Sequence, residues 1–444
     1  MTKERTGHSH FGHFMRDYGM VFVLLLICML FSVLTIDEQH PTDAKGGRQV
    51  ADAVIAKYGK GARVLIVGRN TAGDRQFTEA ADARVKENGG TVVAVVNGDA
   101  IDARKAIDKE TKAGGTIDAI ATINATSKWP IWKNIDSIKQ ETVVTPDSYY
   151  WPVFLKQTNL LSVANQTAIY AIIAIGMTMV IITAGIDLCV GSLVALASVV
   201  SALVIRDWGS GTETGTGMML FGLVMGVGIC GLAGGINGLM ATAFRVPPFI
   251  VTLGMMMMAS GLAFRLTEGR SIAELPESFF WIGGGKTAGI PNPVILMIIL
   301  YVIAHIVMTR MSFGRFVYAI GGNEEAARLS GVPVKRVLLA VYIICGALAG
   351  LGGIVLASQL AAGDPKFGVM YELEVIAAVV VGGTSLMGGS GKIFGTLIGA
   401  FIIAVIKNGM NLTDVHPFNQ KIVLGAVLLA AVLIDTLKRR GMSH

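Results

Sequence analysis

Three carboxylates stand where a membrane-embedded chain would have most use for chemistry. Asp187 lies in Gly-Ile-Asp-Leu-Cys-Val-Gly-Ser (185–192), at the junction of two long apolar runs, and Glu372 and Glu374 lead into a third, Ile376 to Val381. Acids at such depth contact a polar solute or line an ion path, whereas acids near an interface cap a helix. For Asp187 both readings stand: a path group, or a cap for the helix that Leu188 opens, with Gly185 and Gly191 permitting a tight reversal. Glu372 and Glu374 carry the same two readings. Asn237, Thr252, Thr384 and Asn411 are the neutral polar groups available to a solute in the same region.

Chemistry of other kinds finds no support in the residues. Gly-Gly-Thr-Ser-Leu-Met-Gly-Gly-Ser-Gly-Lys (382–392) has the look of a phosphate loop, but such a loop needs Gly where Leu386 stands and Ser or Thr where Ile393 stands. Its glycines read as a reversal between two apolar runs. If ATP drives this protein, the ATPase is therefore another chain. Val67 to Asp74 lacks the GxGxxG of a dinucleotide fingerprint and reads as an ordinary strand-to-helix turn. No Ser/His/Asp or Cys/His set stands out, and His8, His10 and His13 share a polar tail. Cys28, Cys189, Cys230 and Cys345 all fall in apolar stretches and form no CxxC pair, so neither a metal site nor a disulfide framework is implied. The Met run 255–258 reads as gap-filling packing. No catalytic residue and no cofactor is expected.

A different signature lies between Gly321 and Pro333. Asn323 is a good N-cap, Glu324 and Glu325 occupy the favourable first turn, Gly331 suits the position past the last turn, and Pro333 forbids continuation. About two turns of helix cannot stand alone in water. Arg310, Arg315, Lys335 and Arg336 flank it, which places it on the cytoplasmic face of a membrane, where a docked partner supports it. Asn323, Glu324, Glu325, Arg328 and Gly331 are the expected coupling residues.

Composition sets the scaffold around these groups. Of 444 residues 52% are hydrophobic and 15% charged, and mean hydropathy is +0.60. Runs of about 20 apolar residues are long enough to cross a bilayer. The 55 glycines suit close helix packing in lipid. The net charge of +6 belongs to cytoplasmic ends and loops, and no basic stripe with interleaved aromatics invites nucleic acid. Spans are expected at Gly19–Ile36 and near 164–184, 187–205, 218–243, 248–267, 293–309, 337–359, 372–386, 393–410 and 420–436, about ten in all. Lys3, Arg5 and Arg16 precede the first, which reads as an uncleaved signal-anchor. With that end inside, Arg245, Arg310 to Arg336, Lys392 and Lys438 to Arg440 also fall inside.

Between the first two spans lies a segment of soluble character, residues 37–150. Residues 64–67, 92–96, 118–122 and 142–144 read as short buried strands, alternating with helices at 74–88 and 101–113. That pattern predicts a small α/β unit with a parallel sheet on the extracytoplasmic side.

Gly-Ile-Asp-Leu-Cys-Val-Gly-Ser (185–192), Gly-Gly-Ile-Asn-Gly (234–238), Pro-Pro-Phe-Ile-Val-Thr-Leu-Gly (247–254), residues 319–332 and Tyr371 to Gly389 resemble the permease subunits of ribose/xylose/galactose-type ABC importers. The resemblance covers about residues 10–36 and 150–440. It implies a multi-pass permease core (151–444) in the bacterial inner membrane, with 319–336 as the region that docks a separate nucleotide-binding ATPase. It further implies an extracytoplasmic sugar-binding protein and a second permease copy as partners. Cys189 stands where that family usually has Ser. The family also passes almost directly from the first span to a stretch like Phe154 to Ser162. The intervening residues 59–68, 88–99 and 116–124 resemble part of a lobe of the sugar-binding protein that feeds such importers. The alternative left by the acids is an ion-coupled secondary transporter of a small polar solute, with Asp187, Glu372 and Glu374 as its ion-linked groups.

Overall fold

The computed structural model describes residues 7–440 apart from 136, 137 and 139; Lys3 and Arg5 lie outside the described residues. The chain opens with helix α1 (Gly7–Leu34), then folds as two compact units, residues 36–153 and the remainder.

In the smaller unit, β1 (Ile36–Gln39) pairs antiparallel with β6 (Tyr149–Pro152), so its two ends leave side by side, Ile36 opposite Pro152. Between them run α2 (Ala44–Tyr58), β2 (Arg63–Gly68), α3 (Ala72–Glu87), β3 (Thr91–Asn97), α4 (Ala100–Lys112), β4 (Ala119–Thr122), the single turn α5 (Asn124–Ser127) and β5 (Val143–Val144). The sheet is parallel in the order β3-β2-β4-β5. Successive strand residues point to opposite faces, so β2 serves two cores. Val64 and Ile66 pack with Val50, Val54, Phe77 and Val85 of α2 and α3, while Leu65 and Val67 pack with Ala103, Ile107 and Trp132. Side-chain caps start the helices: Asp43 accepts from Gly46 N–H and Thr71 from Asp74 N–H. Asp99 and Asp102 form a reciprocal box at α4. Arg84 bonds Asp52 at 2.8 Å and holds that carboxyl below its usual range.

In the larger unit the helices are α6 (Gln157–Ile182), α7 (Val190–Leu203, continued to Trp208), α8 (Thr216–Ala243), α9 (Pro248–Thr267), α10 (Glu277–Gly283), α11 (Asn292–Arg310), α12 (Ser312–Gly322), α13 (Glu324–Leu329), α14 (Val334–Leu360), α15 (Tyr371–Val381), α16 (Ile393–Leu412) and α17 (Pro417–Arg440). Among the described residues seven helices, α6 to α9, α11, α14 and α16, are long and apolar enough to cross a membrane; Gly19–Leu34 and Pro417–Leu433 are shorter apolar stretches. The chain is a helical, multi-pass membrane protein. Small residues let the helices approach. A Cβ at Gly234 would strike the backbone of Tyr342, and one at Gly346 the backbone of Cys230, so α8 and α14 meet backbone to backbone.

Where a span is expected at 372–386, the helix is shorter than the expected range. There α15 has 11 residues, about 16 Å of rise, and ends at Gly382. The stretch before it is not helical. Ile272 and Gly363 exchange backbone hydrogen bonds of 2.7 and 2.9 Å, the Asp364 backbone meets the Ser198 hydroxyl, and Gly368 packs against Gly191. From Ser198 to Gly191 is seven residues of α7, about 10 Å, so residues 363–370 run beside α7 through a series of turns, with Gly368 (φ 72) and Met370 (φ 71) left-handed, before α15 begins. Gly382, Gly383 (φ 88) and the packing of Gly382 on Gly395 stop the helix.

Candidate functional site

The 363–370 segment makes one wall of a cavity of about 490 Å³. Pro365, Phe367, Gly368 and Glu372 come from that segment and the first turn of α15, Gly191 and Ser192 from α7, and Met256, Ser260 and Phe264 from α9. Non-helical backbone in a membrane protein is tolerated where it is buried in protein or lines a cavity, and here Gly363, Pro365 and Gly368 are buried while the segment lines the cavity. Gly368, at φ 72, occupies a left-handed conformation, and a Cβ there would collide with the Gly191 carbonyl. The cavity offers a carboxylate, two serine hydroxyls and two phenyl rings, the mixture that holds a small polar solute. Met256 and Met257 of the Met run line it too. A larger cleft of about 650 Å³ at the far ends of α7 and α9, among Arg206, Arg265 and Arg270, holds none of the sequence-predicted residues.

Of the expected path residues the structure brings only Glu372 to this cavity. Asp187 is fully buried one layer away. Its Oδ1 accepts from the Cys189 N–H at 2.9 Å, and Cys189, not Asp187, holds the cap position of α7. The left-handed residue that turns the chain is Ala184 (φ 60); Gly185 and Gly191 are small because Tyr342 and Gly368 press on them. Asn237 joins the same interior cluster, donating to Cys189 Sγ at 3.2 Å. Asp187 Oδ2, Asn237 Oδ1 and Tyr342 Oη have no hydrogen-bond partner among the described residues. Thr252 donates to the Ile186 carbonyl at 3.3 Å and so braces the 183–189 loop. Thr384 is buried in the turn after α15, and Asn411 accepts from Gln420.

Glu374 has a partner that the sequence reading missed. Lys407 Nζ donates to both of its carboxylate oxygens at 2.9 Å and to Tyr170 Oη at 3.1 Å, and the Tyr170 ring packs on Tyr371 at 4.5 Å. Three helices, α6, α15 and α16, meet in this cluster. A lysine inside an apolar run demands a partner at membrane depth, and that signal was present at Lys407. Ser192, Ser260, Phe264 and Phe367 carried no such signal.

At the end of the bundle where α6 terminates, α13 projects. Asn323 Oδ1 accepts from the Ala326 N–H at 2.9 Å, Glu325 and Arg328 pair along the helix, and Gly331 is left-handed at φ 86. Only Ala327 is buried; every other residue from Glu324 to Leu329 is exposed. Glu324 makes no ion pair among the described residues, so its charge faces outward unneutralised.

In the smaller unit, polar side chains beyond the C-terminal strand ends engage one another: Arg69 with Asp74 at 2.7 Å, Arg75 with Asn70, and Thr78 with Asn97 at 2.8 Å.

The model of a family described as branched-chain amino acid transport system / permease component matches residues 159–432. The ribose import permease protein RbsC of Escherichia coli (strain K12) is 41% identical over 292 residues, 65% of this chain and 88% of that protein. The protein of the same name from Bacillus subtilis (strain 168) is 44% identical over 289 residues, 65% and 87% of the two chains. The L-arabinose transport system permease protein AraH of Escherichia coli (strain K12) is 37% identical over 290 residues, 65% and 86%. No solved structure matches the chain.

Proposed function

The chain belongs to the family of branched-chain amino acid transport system permease components, and from that premise we propose that it is the permease subunit of an ATP-driven importer for a monosaccharide. It is a transport component, not an enzyme. The relatives named for ribose, arabinose and allose support a monosaccharide cargo over the ion-coupled alternative. So does the engagement of Glu374 by Lys407, which removes one of the acids an ion carrier would use.

The observation that carries the reading is α13, a six-residue helix exposed on all sides but Ala327. A separate ATPase docks on it, and Asn323, Glu324, Glu325, Arg328 and Gly331 form the contact. Closure of that partner on ATP rocks the bundle between outward and inward states. The sugar passes the 490 Å³ cavity, touching Glu372, Ser192 and Ser260. Asp187, Asn237, Thr252 and Thr384 act behind that path as the wall that holds its shape.

In the membrane the chain makes ten passes in this reading: the seven long helices, the apolar parts of α1 and α17, and the broken segment 361–381. It lies in a bacterial inner membrane with lipid around the bundle, pairs with a second copy, and receives sugar from an extracytoplasmic binding protein. Residues 37–150 form an extracytoplasmic α/β domain tethered at both ends. Its strand-end polar groups are occupied by one another, which supports a tethered accessory over a second sugar site.

The test is uptake of labelled sugar into vesicles holding the permease, its ATPase and its binding protein. Glu324→Lys puts a cation at the positive end of α13 and reverses pairing across the interface. The variant is expected to insert normally and lose substrate-stimulated ATP turnover. Normal coupling in that variant removes α13 from the interface, and uptake without any ATPase removes the whole reading.

A further inference from the structure

The turn between α15 and α16, residues 382–392, is clamped to α12 and to the end of α6. Gly389 donates its N–H to the Ile182 carbonyl at 2.9 Å, and Tyr318 of α12 donates its hydroxyl to the Gly391 carbonyl at 2.9 Å. At Gly321 there is no room for a side chain: a Cβ would fall 2.6 Å from Gly389 N and strike the Ile182 carbonyl. Gly383, Gly388 and Gly389 are all left-handed, and Ser385 N–H closes the loop on the Ser390 carbonyl at 3.1 Å, so the turn is shaped rather than slack. Two apolar side chains stand out on this surface: Leu329 of α13 is 80% exposed and Met387 of the turn 74%.

On its N-terminal side the turn joins α15, whose far end carries Glu372 into the cavity. The helix cannot slip past its neighbour, because Gly382 and Ala378 meet Gly395 and Gly399 of α16 without space for a Cβ. A push on the turn therefore moves α15 together with α16, and α15 bears Glu372 at the cavity wall. A push on α13 reaches α15 less directly, through α12 with its Tyr318 and Gly321 contacts or through α14 and α6.

We infer that the turn 382–392 is a second element on which the ATPase bears, with Met387 and Leu329 seated on it, and that α15 carries the resulting motion to the cavity. The occupant is identified by continuity: the turn shares backbone contacts with α12, which leads directly into α13. Tyr318 is a positioning residue that keeps the two elements moving together. This rests on the reading of α13 as the docking helix.

The experiment compares Met387→Asp, Tyr318→Phe and Glu324→Lys in the full permease–ATPase complex, reconstituted with its binding protein. Permease content of the membrane, ATPase retained on purification, ATP turnover and labelled sugar moved per ATP are read for each. Met387→Asp, an exposed position, is expected to insert fully and to lose about fivefold or more in retained ATPase or stimulated turnover, the loss of a central interface contact. Tyr318→Phe removes one hydrogen bond, and is expected to keep ATPase retention and basal turnover while sugar moved per ATP falls about threefold or more. A purely structural role would instead lower inserted protein and leave that ratio unchanged, and this outcome overturns the inference. Wild-type behaviour of both variants overturns it as well. Normal coupling in Glu324→Lys beside uncoupling in Met387→Asp overturns the α13 reading and leaves the turn as the docking element.

Discussion

Replacing Lys407 by Met tests how the cavity wall is anchored. The amine touches both oxygens of Glu374 at 2.9 Å, with Lys407 28% and Glu374 16% exposed. At an effective dielectric of ~20, charges that close attract by about 6 kcal/mol. Desolvating the two ions cancels most of that gain, so the intact pair contributes little net stability. Removing one member is different, because the other stays buried without compensation, at a cost of about 3–5 kcal/mol in dry sites. Partial exposure of Lys407 lets water reach the carboxylate, so about 2–3 kcal/mol is expected here. Lys407→Met and Glu374→Gln should each lower the unfolding midpoint of purified permease in lipid nanodiscs, and each should slow sugar uptake, since α15 loses its tie to α16. The double variant should recover most of the stability. A double-mutant cycle with coupling of ~1.5 kcal/mol or more is the expected result. Strict additivity, or single variants as stable as the parent, would refute the argument that this pair anchors the half-helix.

Asn323→Ala removes the capping bond to Ala326 N–H, worth about 1 kcal/mol of local helix stability; substrate-stimulated ATP turnover should fall severalfold, while the global unfolding midpoint of the permease stays where it was. Gly368→Ala puts a side chain at φ 72 and against the Gly191 carbonyl, and should cost about 2 kcal/mol or more, read as reduced folded yield. Glu372→Gln should leave membrane content and basal ATP turnover intact and shift the concentration dependence of uptake, measured with ribose, arabinose and galactose in parallel; an unchanged profile for all three would place the sugar path elsewhere. Deleting Gln39 to Asp147 with a short flexible linker joins positions near the β1–β6 pair and should leave an inserted, transporting core; loss of insertion would contradict the independence of the smaller unit.

Much of the molecule was settled by local pattern. Residues 63–68, 91–97 and 119–122 are strands because short β-branched runs bounded by Gly and Asp have no other good conformation, and α13 begins and ends where Asn323 and Gly331 stand, since caps act over three or four residues. Long apolar runs such as Val334–Leu360 must be helical in lipid, where every backbone group needs an internal partner. The β1–β6 pair and α2 escaped notice: four residues of strand, or a helix containing Gly46 and Gly47, carry too weak a periodic signal. Tertiary structure alone decided which polar groups share a site. Asp187 and Glu372 read alike in sequence, yet one is sealed behind Cys189 and Asn237 while the other faces the cavity. Glu374 and Lys407 meet across 33 residues because α15 stops at Gly382 and α16 packs back upon it. Hydropathy counts residues along the chain and so read 372–386 as a span. The helix there ends where Gly382 meets Gly395 backbone to backbone, and just before it Gly368 meets Gly191, contacts between residues far apart in sequence that hydropathy does not compare.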